Sequence, residues 1–185
     1  MFDFYYELSW KAAFKAYSLK QFGKDSIIPL VLTIAFVGLS FVQKELPLVT
    51  IIVKVCDMMI VLLPVFISIL IAAFAIWISF YLSNTIDFIK KSEDGKDLLN
   101  ELNASFLIEI SFSIIGMLFT ISVLLTAGMG FNIDENYALI VNIIVLFILL
   151  FICFAVIWWL IYIAKNLHNI AKFTILYERI EDKSK

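Results

Sequence analysis

The sequence predicts an all-α integral membrane protein with four transmembrane helices. The chain has 185 residues, of which 63% are hydrophobic and 16% charged, whereas soluble globular chains are about 45–50% apolar and about 25% charged. Its mean hydropathy is +1.00. The apolar residues also lie in long runs without charges, and an uncharged run of about 18 or more residues is a candidate spanning helix. These observations exclude a soluble domain and predict a single transmembrane domain, 1–185.

Residues 1–23 predict an amphipathic helix that lies along the inner membrane surface. Trp and Tyr are frequent here and prefer the membrane interface, and Gly23 is expected to end the helix. A surface anchor is one interpretation, and a gating or partner-docking helix is the other. The polar residues fall on one helical face at steps of three and four: Asp3, Glu7, Lys11, Lys15 and Ser18.

The four predicted spans cover about residues 26–43, 58–82, 105–128 and 137–163. Pro29 lies in the first turn of the first span, where its missing N–H costs nothing.

The segments between the spans are short. Residues 48–53 are interpreted as an interfacial turn of helix, and Lys90 to Asn100 as a solvated hairpin loop. Trp158, Trp159 and Tyr162 predict an aromatic belt at the inner interface. A helical pattern continues through residues 165–181, so we expect the last helix to extend into the cytoplasm.

The distribution of basic residues predicts the orientation. Of the 14 Lys and Arg residues, only Lys44 and Lys54 lie in an outer loop, and the other twelve flank the opposite ends of the spans. Because basic residues concentrate on the cytoplasmic side, both termini are expected in the cytoplasm of a bacterium, with the chain in its inner membrane. The lipid bilayer is the expected partner. Direct nucleic-acid binding is not expected, since it needs a concentrated basic patch.

Glu109 is the leading functional candidate because it is an acidic residue inside a predicted span. Ser113, Gly116 and Thr120 follow at steps of four, three and four, so all four residues share one helical face. Ionisable residues in spans usually face protein or water and mark ion pathways. This face is a candidate pore or interface stripe. Two alternatives stay open: the helix begins later and leaves Glu109 among the headgroups, or Glu109 pairs with a lysine.

A second pattern is a row of small residues in the second span, which allows helices to approach closely in lipid. The row packs against a neighbour in the same subunit, or it forms a subunit interface or pore wall. Its members are Ser68, Ala72, Ala75, Ser79 and Ser83.

The remaining candidate residues do not form a pattern that indicates a catalytic or metal-binding site. His168, the single histidine, and Asn169 are expected to be solvated or structural, with a cytoplasmic vestibule as the alternative. Cys56 and Cys153 have no metal-ligand or redox spacing, so both are interpreted as small buried apolar residues.

Catalytic, cofactor-binding and metal-binding motifs are absent from the sequence, so an enzyme is not expected. Three classes stay open: an oligomeric channel, a non-conducting scaffold for a cytoplasmic partner, and a holin-like or immunity membrane protein.

The plan resembles the small four-span membrane subunits of bacterial anti-phage systems, such as the Kiwa membrane subunit and the Hailong channel subunit. The resemblance covers most of the chain and rests on size, topology, the aromatic amphipathic start and the long last helix. It implies a homotetramer that works in antiviral defence with a cytoplasmic protein or nucleotide signal. It transfers no site residue. The sequence is therefore interpreted as an oligomeric, channel-like effector or sensor.

Overall fold

The computed structural model describes residues 19–42, 47–82, 93–128 and 135–184. Within these ranges the chain is helical and contains no strand. The N-terminal amphipathic helix predicted for residues 1–23 lies outside the described residues up to position 18. The five helices are α1 (Leu19–Asp25), α2 (Ile27–Val42), α3 (Leu48–Leu82), α4 (Glu93–Gly128) and α5 (Glu135–Ser184).

Four segments are long and apolar enough to cross a membrane: Phe22–Val42, Leu48–Tyr81, Leu99–Gly128 and Tyr137–Lys172. The predicted all-helical class with four membrane-spanning segments is confirmed at this level. Large apolar side chains cover the outside of the bundle; Val61 and Ile115, for example, are 65% and 62% exposed. Such a surface suits a hydrocarbon solvent.

A proline explains why α1 and α2 are two helices. The Ser26 N–H donates to the Phe22 carbonyl at 3.0 Å, which continues the helical pattern out of α1. Pro29 has no N–H to donate to the Asp25 carbonyl, so the series of helical backbone hydrogen bonds is interrupted there. Ser26 therefore adopts a turn conformation between the two helices. The sequence had suggested that a helix ends at Gly23. This prediction is wrong, because α1 continues to Asp25.

The third helix begins earlier than the predicted span. It runs without interruption from Leu48, so residues 48–53 are helical, as predicted, and lead directly into the span. The Pro47 carbonyl accepts the N–H groups of Thr50 and Ile51 at 2.9 and 3.3 Å. These bonds satisfy two of the unpaired donors that every helix start leaves.

The fourth helix also begins earlier, at Glu93, so most of the segment predicted as a polar hairpin is helical. Leu99 and Leu102 lie one turn apart and are each 1% exposed. Their burial holds this polar stretch against the bundle, and tertiary packing of this kind contributes most helical stability in proteins.

The last helix is the centre of the fold. α5 packs against α2, α3 and α4, α3 also packs against α4, and the main partner of α2 is α5. The core has two parts. One joins Cys56 and Met59 of α3 to Cys153 of α5. The other joins Trp77 of α3, Phe106 of α4 and residues such as Ile163 of α5.

The two cysteines behave as the sequence predicts. Cys56 is fully buried and Cys153 is 6% exposed, and neither forms a disulfide. Both belong to the same apolar cluster.

Candidate functional site

The face of α4 that carries Glu109 is turned into the helix bundle. Glu109 is 1% exposed, and Ser113 and Thr120 are 0% exposed. Because α4 begins at Glu93, Glu109 lies about four turns inside the helix. The helix therefore does not begin after Glu109, whereas the depth of Glu109 relative to the headgroups stays a prediction. The stripe is a buried face between helices of one subunit, not an outer surface.

The middle of the stripe is closely packed. A Cβ added to Gly116 would lie 2.5 Å from Cγ2 of Ile152 on α5, so any larger residue would require Ile152 to shift. The Thr120 hydroxyl donates to the Gly116 carbonyl at 2.8 Å and lies 3.9 Å from Sδ of Met59 on α3. The stripe is thus closed by apolar side chains one turn beyond Ser113.

Glu109 has no polar partner within the part of the chain that the structure describes. Neither carboxyl oxygen has a hydrogen-bond partner, and the hydroxyl of Ser113 on the next turn has none either. The pairing with a lysine that the sequence left open is not seen among the described residues. An isolated ionised carboxylate is costly to bury, so this arrangement marks an unusual site.

Trp159 of α5 lies beside Glu109, and both residues line one small cavity. Trp159 is 4% exposed, so its ring is turned into the bundle interior, and the aromatic belt at the inner interface stays a prediction. Its ring contacts Phe112 of α4 and Phe22 of α1, with ring centroids 4.9 and 5.4 Å apart. These contacts fix the indole, yet its Nε1 has no hydrogen-bond partner among the described residues.

A polar network continues the stripe toward the start of α4. The Tyr162 hydroxyl donates to Oε1 of Glu101 at 3.0 Å and is also hydrogen-bonded to Asn166. The Ser105 hydroxyl donates to the Glu101 carbonyl at 2.9 Å. Glu101 and Ser105 lie eight and four residues before Glu109, so the same face extends over about 28 Å from Glu101 to Thr120 at 1.5 Å per residue.

A second polar contact joins α3 to α4. Trp77 Nε1 donates to Oδ1 of Asn103, and both side chains are buried. Sequence reasoning missed this pair, as it missed the extension of the stripe to Glu101. The four-residue spacing of Glu101, Ser105 and Glu109 was a signal that could have located the extension.

The small-residue row faces away from the described bundle. Ser68, Ala72, Ala75 and Ser79 are all exposed on α3, and Ser83 lies outside the described residues. The two serine hydroxyls donate to carbonyls of their own helix, at 2.8 and 3.0 Å. The row therefore does not contribute to the Glu109 site.

His168 and Asn169 are exposed on α5 and do not line the Glu109 cavity. Over the described ranges, no group of three His, Cys, Asp or Glu side chains is placed to hold a metal ion.

Comparison with known proteins does not assign the chain to a family. No protein-family model, curated protein or solved structure matches it. The chemistry of the Glu109 site is therefore argued from its own geometry.

Proposed function

We propose that this protein is an oligomeric, channel-like effector or sensor of the bacterial inner membrane that acts in antiviral defence with a cytoplasmic partner. One observation carries the proposal: Glu109 is a buried carboxyl group without a polar partner among the described residues of a four-span bundle. Ionisable groups in spans are expensive, and where they occur they usually line ion or proton pathways.

The proposed pathway runs inside the subunit, along the buried face of α4. This face carries Glu101, Ser105, Glu109, Ser113 and Thr120, and its length of about 28 Å is close to the roughly 30 Å of a bilayer core. The described conformation would be the closed state.

The closed segment lies at Gly116. Ile152 fills the space beside this glycine, and an apolar constriction of this kind stops conduction by excluding water. Opening would require α5 to move relative to α4.

The oligomer has support from a different surface. The row Ser68, Ala72, Ala75 and Ser79 is exposed, and small residues at such spacing favour close helix contacts in membranes. The tetramer, the inner membrane and the cytoplasmic termini follow from the architectural resemblance and from the distribution of lysines.

Ion flux through the purified full-length protein in sealed liposomes tests the proposal, with and without the cytoplasmic protein or nucleotide signal. Glu109→Gln is expected to abolish flux and to leave the oligomer intact. Asp57→Asn is the matched control, because it makes the same change from acid to amide at an exposed position of another span. In bacteria, the first variant should lose phage protection and the control should keep it.

Absence of flux under every condition would contradict the channel. Unchanged flux in Glu109→Gln would contradict the pathway past Glu109. Loss of the oligomer in that variant would make Glu109 an assembly residue, and the pore assignment would fail.

A non-conducting scaffold is the second candidate, and the length of α5 favours it. Its 50 residues span about 75 Å, more than twice a bilayer core, so part of the helix must lie outside the hydrocarbon. A partner that binds this part should be lost when residues 173–185 are removed. The deletion begins beyond the span that ends at Lys172 and keeps the buried Ile170, so the bundle should remain folded.

A further inference from the structure

The cavity beside Glu109 is small and mostly enclosed by two helices. Its volume is about 10 Å³, and it is lined by Ser105, Ile108, Glu109, Trp159, Tyr162 and Ile163. This volume is at the lower bound of the space that one water molecule needs, about 10–15 Å³.

Two of the residues that line the cavity, Glu109 and Trp159, carry buried polar atoms without a partner among the described residues. Trp159 Nε1 is a buried donor without a partner, and the two Glu109 oxygens are buried without a partner. A water can accept from the indole N–H and donate to the carboxyl group, which satisfies both sides at once. Buried waters typically make two to four such bonds.

A metal cation does not fit the same cavity. Metal cations need a shell of several oxygen ligands, and the volume has no room for a hydrated ion. Tyr162 and Ser105 already use their hydroxyl hydrogens in bonds to Glu101.

We propose that Glu109 and Trp159 hold one ordered water and form a proton-binding site, so that the proton is the ion this protein moves. The proposal rests on the proposed channel function and names its permeant ion. The proton adds reversibly to a Glu109 carboxylate oxygen, and in the relay through the water one O–H bond of the water breaks as another forms. Ser113, with its unpaired hydroxyl one turn further along α4, is the next group that can accept and donate a proton.

The surroundings of Glu109 supply few other charges. Tyr162 of α5 lines the same cavity and donates to Glu101 of α4, and Asp25 of α1 interacts electrostatically with Tyr162. Lys54 and Asp57, the charged side chains in the described range of α3, are exposed. Three basic residues of α5 are exposed as well: Lys165, His168 and Lys172.

The first test is infrared difference spectroscopy of the full-length protein between acidic and alkaline pH. We expect a carboxylic acid C=O band that is lost in Glu109→Gln and retained in Asp57→Asn. Trp159→Phe keeps the aromatic ring and removes Nε1, so the band should shift to the position of a more weakly hydrogen-bonded acid. Absence of a Glu109 band, or no shift in Trp159→Phe, would overturn the site.

The second test measures proton flux and potassium flux separately in the same liposomes. Proton flux that is lost in Glu109→Gln and reduced in Trp159→Phe, with no potassium flux, supports the proposal. Potassium flux without proton flux overturns the choice of ion and leaves the channel function standing. If no ion moves, the channel function fails, and with it the proposal that this protein moves protons. The infrared band then decides separately whether Glu109 and the water bind a proton.

Discussion

The contact between Gly116 and Ile152 gives the sharpest test of the bundle geometry. In Gly116→Ala, the new methyl would lie 2.5 Å from Ile152 Cγ2, and ordinary contact begins at 3.4 Å, so the isoleucine must retreat by about 0.9 Å. Overpacking of this kind costs about 1–3 kcal/mol. Alanine regains about 1 kcal/mol of helix propensity over glycine, which leaves a net destabilisation of about 0–2 kcal/mol.

A double-mutant cycle separates the clash from the propensity. Ile152→Ala removes Cγ2 and costs about 2–5 kcal/mol by itself. In that background, Gly116→Ala meets no obstacle and should stabilise by roughly 1 kcal/mol. The expected coupling is about 1–3 kcal/mol, measured by denaturant unfolding in detergent. Gly38→Ala on α2 is the matched control, since nothing lies within 4 Å of its added Cβ; it should stabilise slightly.

Additive effects of the two substitutions, within about 0.5 kcal/mol, would show that Gly116 and Ile152 do not touch. The packing of α4 on α5 described above would then be wrong, and so would the closed segment of the proposed pathway.

The other predictions concern buried groups elsewhere in the bundle. Trp77→Phe removes the donor to Asn103 and leaves a buried amide oxygen without this bond, so unfolding free energy should fall by about 1–3 kcal/mol; an unchanged value would refute the contact. Cys56 and Cys153 should resist a membrane-permeant maleimide in the folded protein and react after unfolding. An introduced Ser79→Cys should react at once because this position is exposed, and fast labelling of the native cysteines would contradict their burial.

The spans were predictable because a helix that crosses the hydrocarbon core needs a long run of apolar residues. Such a run can be recognised from the local composition of the sequence. The first residues of the helices were harder to predict from the sequence. Residues 93–100 read as a polar loop, and only the burial of Leu99 and Leu102 against other helices shows why they are helical. Such tertiary contacts are not visible in local composition.

The Glu109 face was predictable from spacing, whereas its surroundings were not. Periodicity places residues on one face but does not say what that face meets. Trp159 follows an apolar run near a lysine, a pattern that also suits an interfacial belt. Its role beside Glu109 depends on the rotation of α5, which is fixed by residues on three other helices.

The central position of α5 has a consequence for biosynthesis. α2, α3 and α4 are synthesised before the helix that they share, so Trp159 and Tyr162 reach the membrane after them. Until then, nothing from α5 covers the side of Glu109 that later faces the cavity. The nascent chain must therefore carry an uncovered carboxyl group through insertion, and arrival of the last helix is the step that encloses it.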